Sequence, residues 1–331
     1  MKKNITYSEA ILEGFKYLLD NYPEVFVIGQ GLWSPWYVGN SMKDLDKLYG
    51  KNRIIDTPVS ENAVTGAAVG ASLCGMKPIV VHPRMDFMLY AMDPIINQAA
   101  KWSYMFGGQS NPQLTVRSIV NRGGEQGAQH SQLLHSLFAH IPGLRVVMPF
   151  SVKDARDLLI SSVLCKDPVI YIDDRWLYDQ EDTIDEVEIK DLEDQSPMKV
   201  IDGNEITIIA SGFSTKLAKR AIDKLSINNK YSIELFDLRV ISPIKYDSIV
   251  KSILKTKRFM VIDGGWKTCG LASEIISSIV ERIDPSQLLS KPVNVSLQEC
   301  PAPSSGLLEE NYYLSENHLM DLINTELVNR D

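Results

Sequence analysis

A carboxylate placed where a strand gives way to a helix is the first group in this sequence that could do chemistry. A strand pattern at Arg53-Ile54-Ile55 runs into Asp56-Thr57-Pro58-Val59-Ser60-Glu61-Asn62, just ahead of an Ala/Gly-rich helix from Ala63 to Gly75. Ser60 is expected to cap that helix, and Glu61 in its first turn suits the positive end of the helix dipole. Taken alone, the pattern describes a capped helix with a solvated acid. His130 is a second candidate, because an imidazole suits proton transfer near neutral pH. It follows the glycine-rich run Arg122-Gly123-Gly124-Glu125-Gln126-Gly127, a loop type that lets backbone approach a ligand closely. His135 and His140 follow at steps of five, which does not stack them on one helix face as the four-residue step of a metal pair would. No zinc site is expected; His135 is assigned to structure, and so is His140, with lining the site as its alternative. Phe87, in Asp86-Phe87-Met88, is by pattern alone a core phenylalanine.

The elements that must position these groups alternate along the chain. Thr6-Tyr7-Ser8-Glu9 is a capping box opening an amphipathic helix to about Asn21, with Ala10, Leu12, Phe15, Leu18 and Leu19 inside. Apolar strand patterns follow at Val25–Gly29, Pro78–Val81, Leu114–Val116, Arg145–Pro149 and Pro168–Ile172, separated by helical patterns that include Ala91 to Phe106 and Val152 to Leu164. Continuous apolar strands alternating with helices predict a parallel sheet covered on both faces. Between residues 177 and 198 the chain turns acidic and loses periodicity, which predicts a solvated linker. A second α/β series starts at Glu205–Gly212 and continues through strands at Ser232–Asp237, Phe259–Asp263 and Val293–Ser296. Its helices are expected near Thr215–Leu225, Ile244–Lys255, Leu271–Ile283 and Ser315–Val328. The fold class is therefore α/β with two doubly wound domains, residues 1–195 (including the acidic linker 177–198) and 196–331.

At 331 residues, with 44% hydrophobic content, the chain can fill two such cores. Its net charge of −8 and short basic runs, such as Lys255-Thr256-Lys257-Arg258, argue against nucleic acid and against an anionic membrane surface as partners. No apolar run approaches a membrane span and no signal-peptide core precedes the first helix. The four cysteines, Cys74, Cys165, Cys269 and Cys300, are far apart and form no CxxC pair, as reduced thiols would be. A cytoplasmic location is expected.

The order of motifs carries more than any one of them. After Ser60-Glu61-Asn62 and Asp86-Phe87-Met88 come Asn97-Gln98-Ala99-Ala100-Lys101, Tyr104-Met105-Phe106-Gly107-Gly108, Gly127-Ala128-Gln129-His130-Ser131-Gln132 and Ala139-His140-Ile141-Pro142-Gly143-Leu144. This series resembles the beta subunit of the thiamine-diphosphate-dependent first component of the pyruvate and branched-chain 2-oxoacid dehydrogenase complexes, within the transketolase superfamily. The resemblance runs from about Ile5 to Leu327. It implies that the first domain is the pyrimidine-binding domain and the second the transketolase C-terminal domain. It also implies roles. Thiamine diphosphate reacts through an ylide, formed when its aminopyrimidine shifts to the imino tautomer, and an acid bonded to ring nitrogen N1′ drives that shift from a dry pocket. Glu61 matches that acid. Phe87 matches the aromatic that stacks on the pyrimidine, and its separation from Glu61 equals the family's. His130 matches the acid/base near substrate and acyl acceptor. Gln30 is counted with Glu61 and Phe87 among the cofactor-binding positions.

The superfamily holds the diphosphate through magnesium bound by Gly-Asp-Gly and a later Asn. No such motif occurs here, and Asp263-Gly264-Gly265-Trp266 lacks the order. The resemblance thus implies an alpha subunit that supplies the magnesium half, in an α2β2 heterotetramer with a beta–beta contact, and a lipoyl acyltransferase core as further partner. It also implies a potassium ion on backbone carbonyls near Ser162, Val163, Cys165 and Asp167. Three stretches depart from the family pattern: Gln30-Gly31-Leu32 with Trp33-Ser34-Pro35-Trp36, Val81-His82-Pro83-Arg84-Met85, and Pro301-Ala302-Pro303-Ser304-Ser305. The two tryptophans could clamp a ligand or partner, or simply pack their loop. Arg84 could pair with a substrate carboxylate or phosphate, or with a neighbouring subunit. The expected reaction is decarboxylation of a small, pyruvate-like 2-oxoacid with acyl transfer to lipoamide. The alternatives are a two-subunit transketolase-like or acyloin-forming carboligase using an aldehyde or sugar acceptor, and a non-enzymatic scaffold subunit.

Overall fold

The computed structural model describes residues 3–34, 37–226 and 231–328. Its contacts fall into two compact units, one formed by the chain up to Arg122 with Gln129–Gln195, the other by Gly123–Ala128 with the chain from Ser196 onward.

In the first unit the elements are β1 (Lys3–Thr6), α1 (Tyr7–Asn21), β2 (Val25–Gln30), α2 (Leu45–Tyr49), β3 (Ile54–Thr57), α3 (Glu61–Leu73), β4 (Lys77–His82), α4 (Ala100–Met105), β5 (Thr115–Val120), α5 (His135–Ala139), β6 (Arg145–Val147), α6 (Val152–Leu164), β7 (Val169–Asp174) and β8 (Glu181–Ile184). Its sheet runs in the order β6-β7-β5-β4-β2-β3, and each of these neighbours pairs in parallel. Both faces are covered, so β5 and β7 are buried along their whole length, as the continuous apolar runs require. Helix α1 starts as expected. The Thr6 hydroxyl accepts from the Glu9 N–H at 3.2 Å, and the Glu9 carboxylate accepts from the Thr6 N–H at 2.9 Å. Ala10, Phe15, Leu18 and Leu19 are buried, while Leu12 is only half-buried. The apolar face packs against α6.

Two stretches differ from the sequence-based expectation. The helix expected from Ala91 to Phe106 is not regular: a π-helical turn (Asp93–Ala99) precedes α4, and a 3-10 turn (Met85–Ala91) leads into it. Pro94 gives a reason: it has no N–H for an α-helical bond and its ring crowds the preceding turn, which a widened turn relieves. The acidic stretch is no bare linker. Residues 181–184 form β8, which pairs antiparallel with β1. Lys153 binds Glu188, Arg145 binds Glu193, and Arg156 donates to the Asp185 and Glu186 carbonyls. The acids are thus matched by a basic face of the first unit, which their own sequence could not reveal.

In the second unit β9 (Met198–Ile201), β10 (Ile206–Ala210), α7 (Phe213–Ser226), β11 (Ile233–Asp237), β12 (Val240–Ser242), α8 (Asp247–Thr256), β13 (Phe259–Trp266), α9 (Leu271–Val280), β14 (Val293–Leu297), α10 (Gly306–Tyr312) and α11 (Glu316–Val328) follow one another. Its sheet order is β14-β13-β10-β11-β9, with β9 the antiparallel edge. Ile208, Leu235 and Met260 meet Leu217 and Ile222 of α7 and Leu319 and Ile323 of α11 in its core. Among the described residues no helix is long and apolar enough to cross a membrane.

Candidate active site

Glu61 is the first residue of α3, so its carboxyl starts life at the positive end of a 13-residue helix. Ser60 occupies the cap position, but its hydroxyl makes no capping bond, contrary to expectation. Its ψ of 66° departs from the extended geometry from which a cap hydroxyl reaches the first-turn N–H groups. The turn is anchored instead by Asp56, whose carboxylate accepts from the Gly31 N–H at 2.6 Å and ties the end of β3 to the loop after β2. At that loop Gln30 donates to the Tyr37 hydroxyl at 2.9 Å. The C-terminal ends of β2, β3 and β4 therefore converge, which is where an open parallel sheet presents its ligand crevice.

Beyond β4, the 3-10 turn carries Phe87, and the loop 129–134 lays His130 against it with ring centroids 5.2 Å apart and planes at 85°. This edge-to-face contact is a favoured aromatic geometry. Four further bonds hold the loop to the turn. Arg84 reaches the His130 carbonyl at 3.4 Å, the Leu134 N–H points at the Met85 sulfur at 3.4 Å, and Asp86 Oδ1 accepts from both Gln132 N and Nε2 at 3.0 Å.

Gln30, Glu61, Phe87 and His130, spread over a hundred residues of sequence, line one cavity of about 280 Å³. Its remaining wall comes from Tyr37, Val59, His82, Pro83, Arg84 and Tyr90. Glu61, Phe87 and His130 are all half-buried. His82 had no motif to mark it. It is buried, lies 3.2 Å from the Thr65 hydroxyl, and desolvation pushes its pKa down to about 4. It is therefore a neutral hydrogen-bonding group at neutral pH. Burial, with the charge of Arg175 second, also lowers the Arg84 pKa. Tyr37 and Tyr90 also line the cavity without a motif to mark them.

The other candidates fall elsewhere. Ser162, Val163, Cys165 and Asp167 lie at the end of α6 and in the turn after it, outside this cavity. The Ser162 carbonyl accepts from the Cys165 N–H at 3.3 Å, and Asp167 pairs with Arg145 at 2.7 Å. His135 is buried in α5, and His140 is exposed and away from the cavity. Trp33 packs its loop: its indole N–H donates to the Ile54 carbonyl at 2.9 Å and Lys51 lies 3.9 Å over its ring. Trp36 lies outside the described residues. Asp263 is a structural cap, accepting from Gly265 N and Ala272 N.

The donor set suits the pyrimidine half of thiamine diphosphate: a half-buried carboxyl for a ring nitrogen, an aromatic flank, and apolar Val59 and Pro83 around them. Comparison with known proteins agrees. The family model for the transketolase pyrimidine binding domain matches residues 3–180, and that for the transketolase C-terminal domain matches residues 198–319. The beta subunit of acetoin:2,6-dichlorophenolindophenol oxidoreductase from Cupriavidus necator is 33% identical over 328 residues, covering 94% of each chain. Its Bacillus subtilis counterpart is 32% identical over 325 residues, again covering 94% of each. The pyruvate dehydrogenase E1 component subunit beta of Rickettsia felis is 30% identical over 320 residues, covering 96% of this chain and 97% of that one. In fold, the chain is similar to a solved split-gene transketolase, an inactive beta4 tetramer, with a TM-score of 0.75, 18% identity and 99% of both chains covered. With both domains matched and such relatives aligned along nearly all of it, this chain belongs to the thiamine-diphosphate-dependent transketolase family, in the branch of the pyruvate dehydrogenase E1 and acetoin oxidoreductase beta subunits.

Proposed function

We propose that this chain is the beta subunit of a two-subunit enzyme that decarboxylates a small, pyruvate-like 2-oxoacid and hands the acyl group to lipoamide. The observation that carries the proposal is the convergence of Glu61, Phe87 and His130 on one cavity. When bound, thiamine diphosphate supplies the carbon nucleophile that the reaction needs. Glu61 holds a proton against the coenzyme's pyrimidine nitrogen, where exclusion of water keeps the proton shared between the two. Phe87 gives that ring an apolar surface, and Gln30, steadied by Tyr37, supplies a polar edge. His130, held by Arg84 and Phe87, moves a proton at the substrate side.

The diphosphate and its magnesium are assigned to an alpha subunit, in an α2β2 heterotetramer with a beta–beta contact. Supporting this, the sequence lacks the Gly-Asp-Gly and Asn that would hold them. A potassium ion is assigned to the end of α6 around Ser162, Val163, Cys165 and Asp167, where the last helical carbonyls lack intrahelical partners. A lipoyl acyltransferase core is the proposed acyl acceptor. Four unpaired cysteines suit a reducing, cytoplasmic setting.

The test is reconstitution with the alpha subunit, thiamine diphosphate and magnesium, assayed with 2-oxoacids and lipoamide. Glu61→Gln should lower kcat by about 10²–10⁴-fold with the fold intact. Full activity in that variant, or turnover with aldehyde acceptors alone, would overturn the assignment.

A further inference from the structure

Asp86 is the neighbour of Phe87 in the same motif, yet it does not line the cavity with Glu61, Phe87 and His130. Its side chain is 5% exposed. One oxygen, Oδ1, takes both Gln132 donors, whereas the other, Oδ2, is buried with no hydrogen-bond partner. A half-satisfied buried carboxylate is costly, and its place beside a titratable group is where such a cost has a use. Burial pushes the Asp86 carboxyl up, while the Gln132 donors and the nearby His130 pull it down.

We propose that Asp86 is a positioning residue for His130: it fastens the loop 129–134 to the turn bearing Phe87. The geometry is specific. Gln132 is two residues beyond His130, so its two hydrogen bonds to Asp86 Oδ1 fix the loop on one side. The Arg84 bond to the His130 carbonyl and the Phe87 ring fix it on the other. His130 shares its cavity with Glu61, Tyr37, His82, Arg84 and Tyr90, so a displacement of the loop moves the imidazole relative to Glu61 and Phe87.

This inference rests on His130 acting as the proton carrier, and its test separates the two. The reconstituted complex is assayed for kcat and KM, and the NMR signal of His130, identified through a His130→Gln variant, reports its surroundings in the full chain. Asp86→Ala removes the acceptor for both Gln132 donors, so the His130 signal should move or broaden and kcat should fall by about 10–100-fold with KM nearly unchanged. Asp86→Asn keeps an acceptor for Gln132 and should restore most of both. An unmoved His130 signal in Asp86→Ala, or no rescue by Asp86→Asn, overturns the proposal. A moved signal with unchanged kcat supports it and instead removes His130 from proton transfer.

Discussion

His82 shows how a buried residue at the cavity wall ties the site to stability. Its imidazole is desolvated and its pKa falls from 6.5 to about 4. Between those two values the unfolded chain binds a proton that the folded chain refuses, so stability is fully present above pH 6.5 and drains as pH drops toward 4. By linkage, His82 alone should cost the fold about 2–3 kcal/mol between pH 7 and 4.5. A His82→Gln variant can still bond to Thr65 and has no such proton. Urea unfolding at the two pH values should therefore show a smaller loss for the variant; equal losses would refute the argument. At this scale the sequence told part of the story. Glu61, Phe87 and His130 line one cavity, and motif order, not their own types, pointed at them. His82 and Asp86 were invisible because their significance is burial and neighbours: Thr65 for one, Gln132 and His130 for the other.

Among the elements, β2 and β4 set the floor of the cavity, and Gly29 decides how closely they meet. It faces Val81 in the parallel ladder. A Cβ there would fall 2.4 Å from the Val81 carbonyl oxygen, backbone that cannot step aside as a side chain would. Gly29→Ala should force the strands apart beneath Gln30 and destabilise the fold by about 1–3 kcal/mol. It should also weaken coenzyme binding in the reconstituted complex. A thermal melt indistinguishable from wild type would dismiss the close-approach account. Most elements were legible because their signals are local: the Thr6/Glu9 box opened α1, and Val152–Leu164 was a helix to the residue. The turns from Met85 to Ala99 were not, since the same apolar spacing serves a regular helix, and only Pro94 hints at the widened backbone. The acidic stretch misled for a related reason. Its charges look solvated until Lys153, Arg145 and Arg156 are found opposite them.

At the scale of the whole molecule, the chemistry legible in this chain is that of one end of the coenzyme. The carboxyl, aromatic and imidazole groups that suit the aminopyrimidine and substrate are present, whereas the sequence holds no magnesium motif for the diphosphate. Two phosphates carry most of a coenzyme's charge and need cations and oriented donors to leave water. If these come from an alpha subunit, the chain alone should hardly distinguish thiamine diphosphate from thiamine, because the part that differs meets no matching groups. Calorimetric titration of the chain alone should then give weak, similar affinities for both, indifferent to magnesium. Adding the alpha subunit should tighten the diphosphate by about 100-fold or more, the worth of a few charge-assisted hydrogen bonds, and should leave thiamine nearly unchanged. Magnesium-dependent preference for the diphosphate in the lone chain would mean that it carries a phosphate site of its own, and the division of labour between two polypeptides would have to be abandoned.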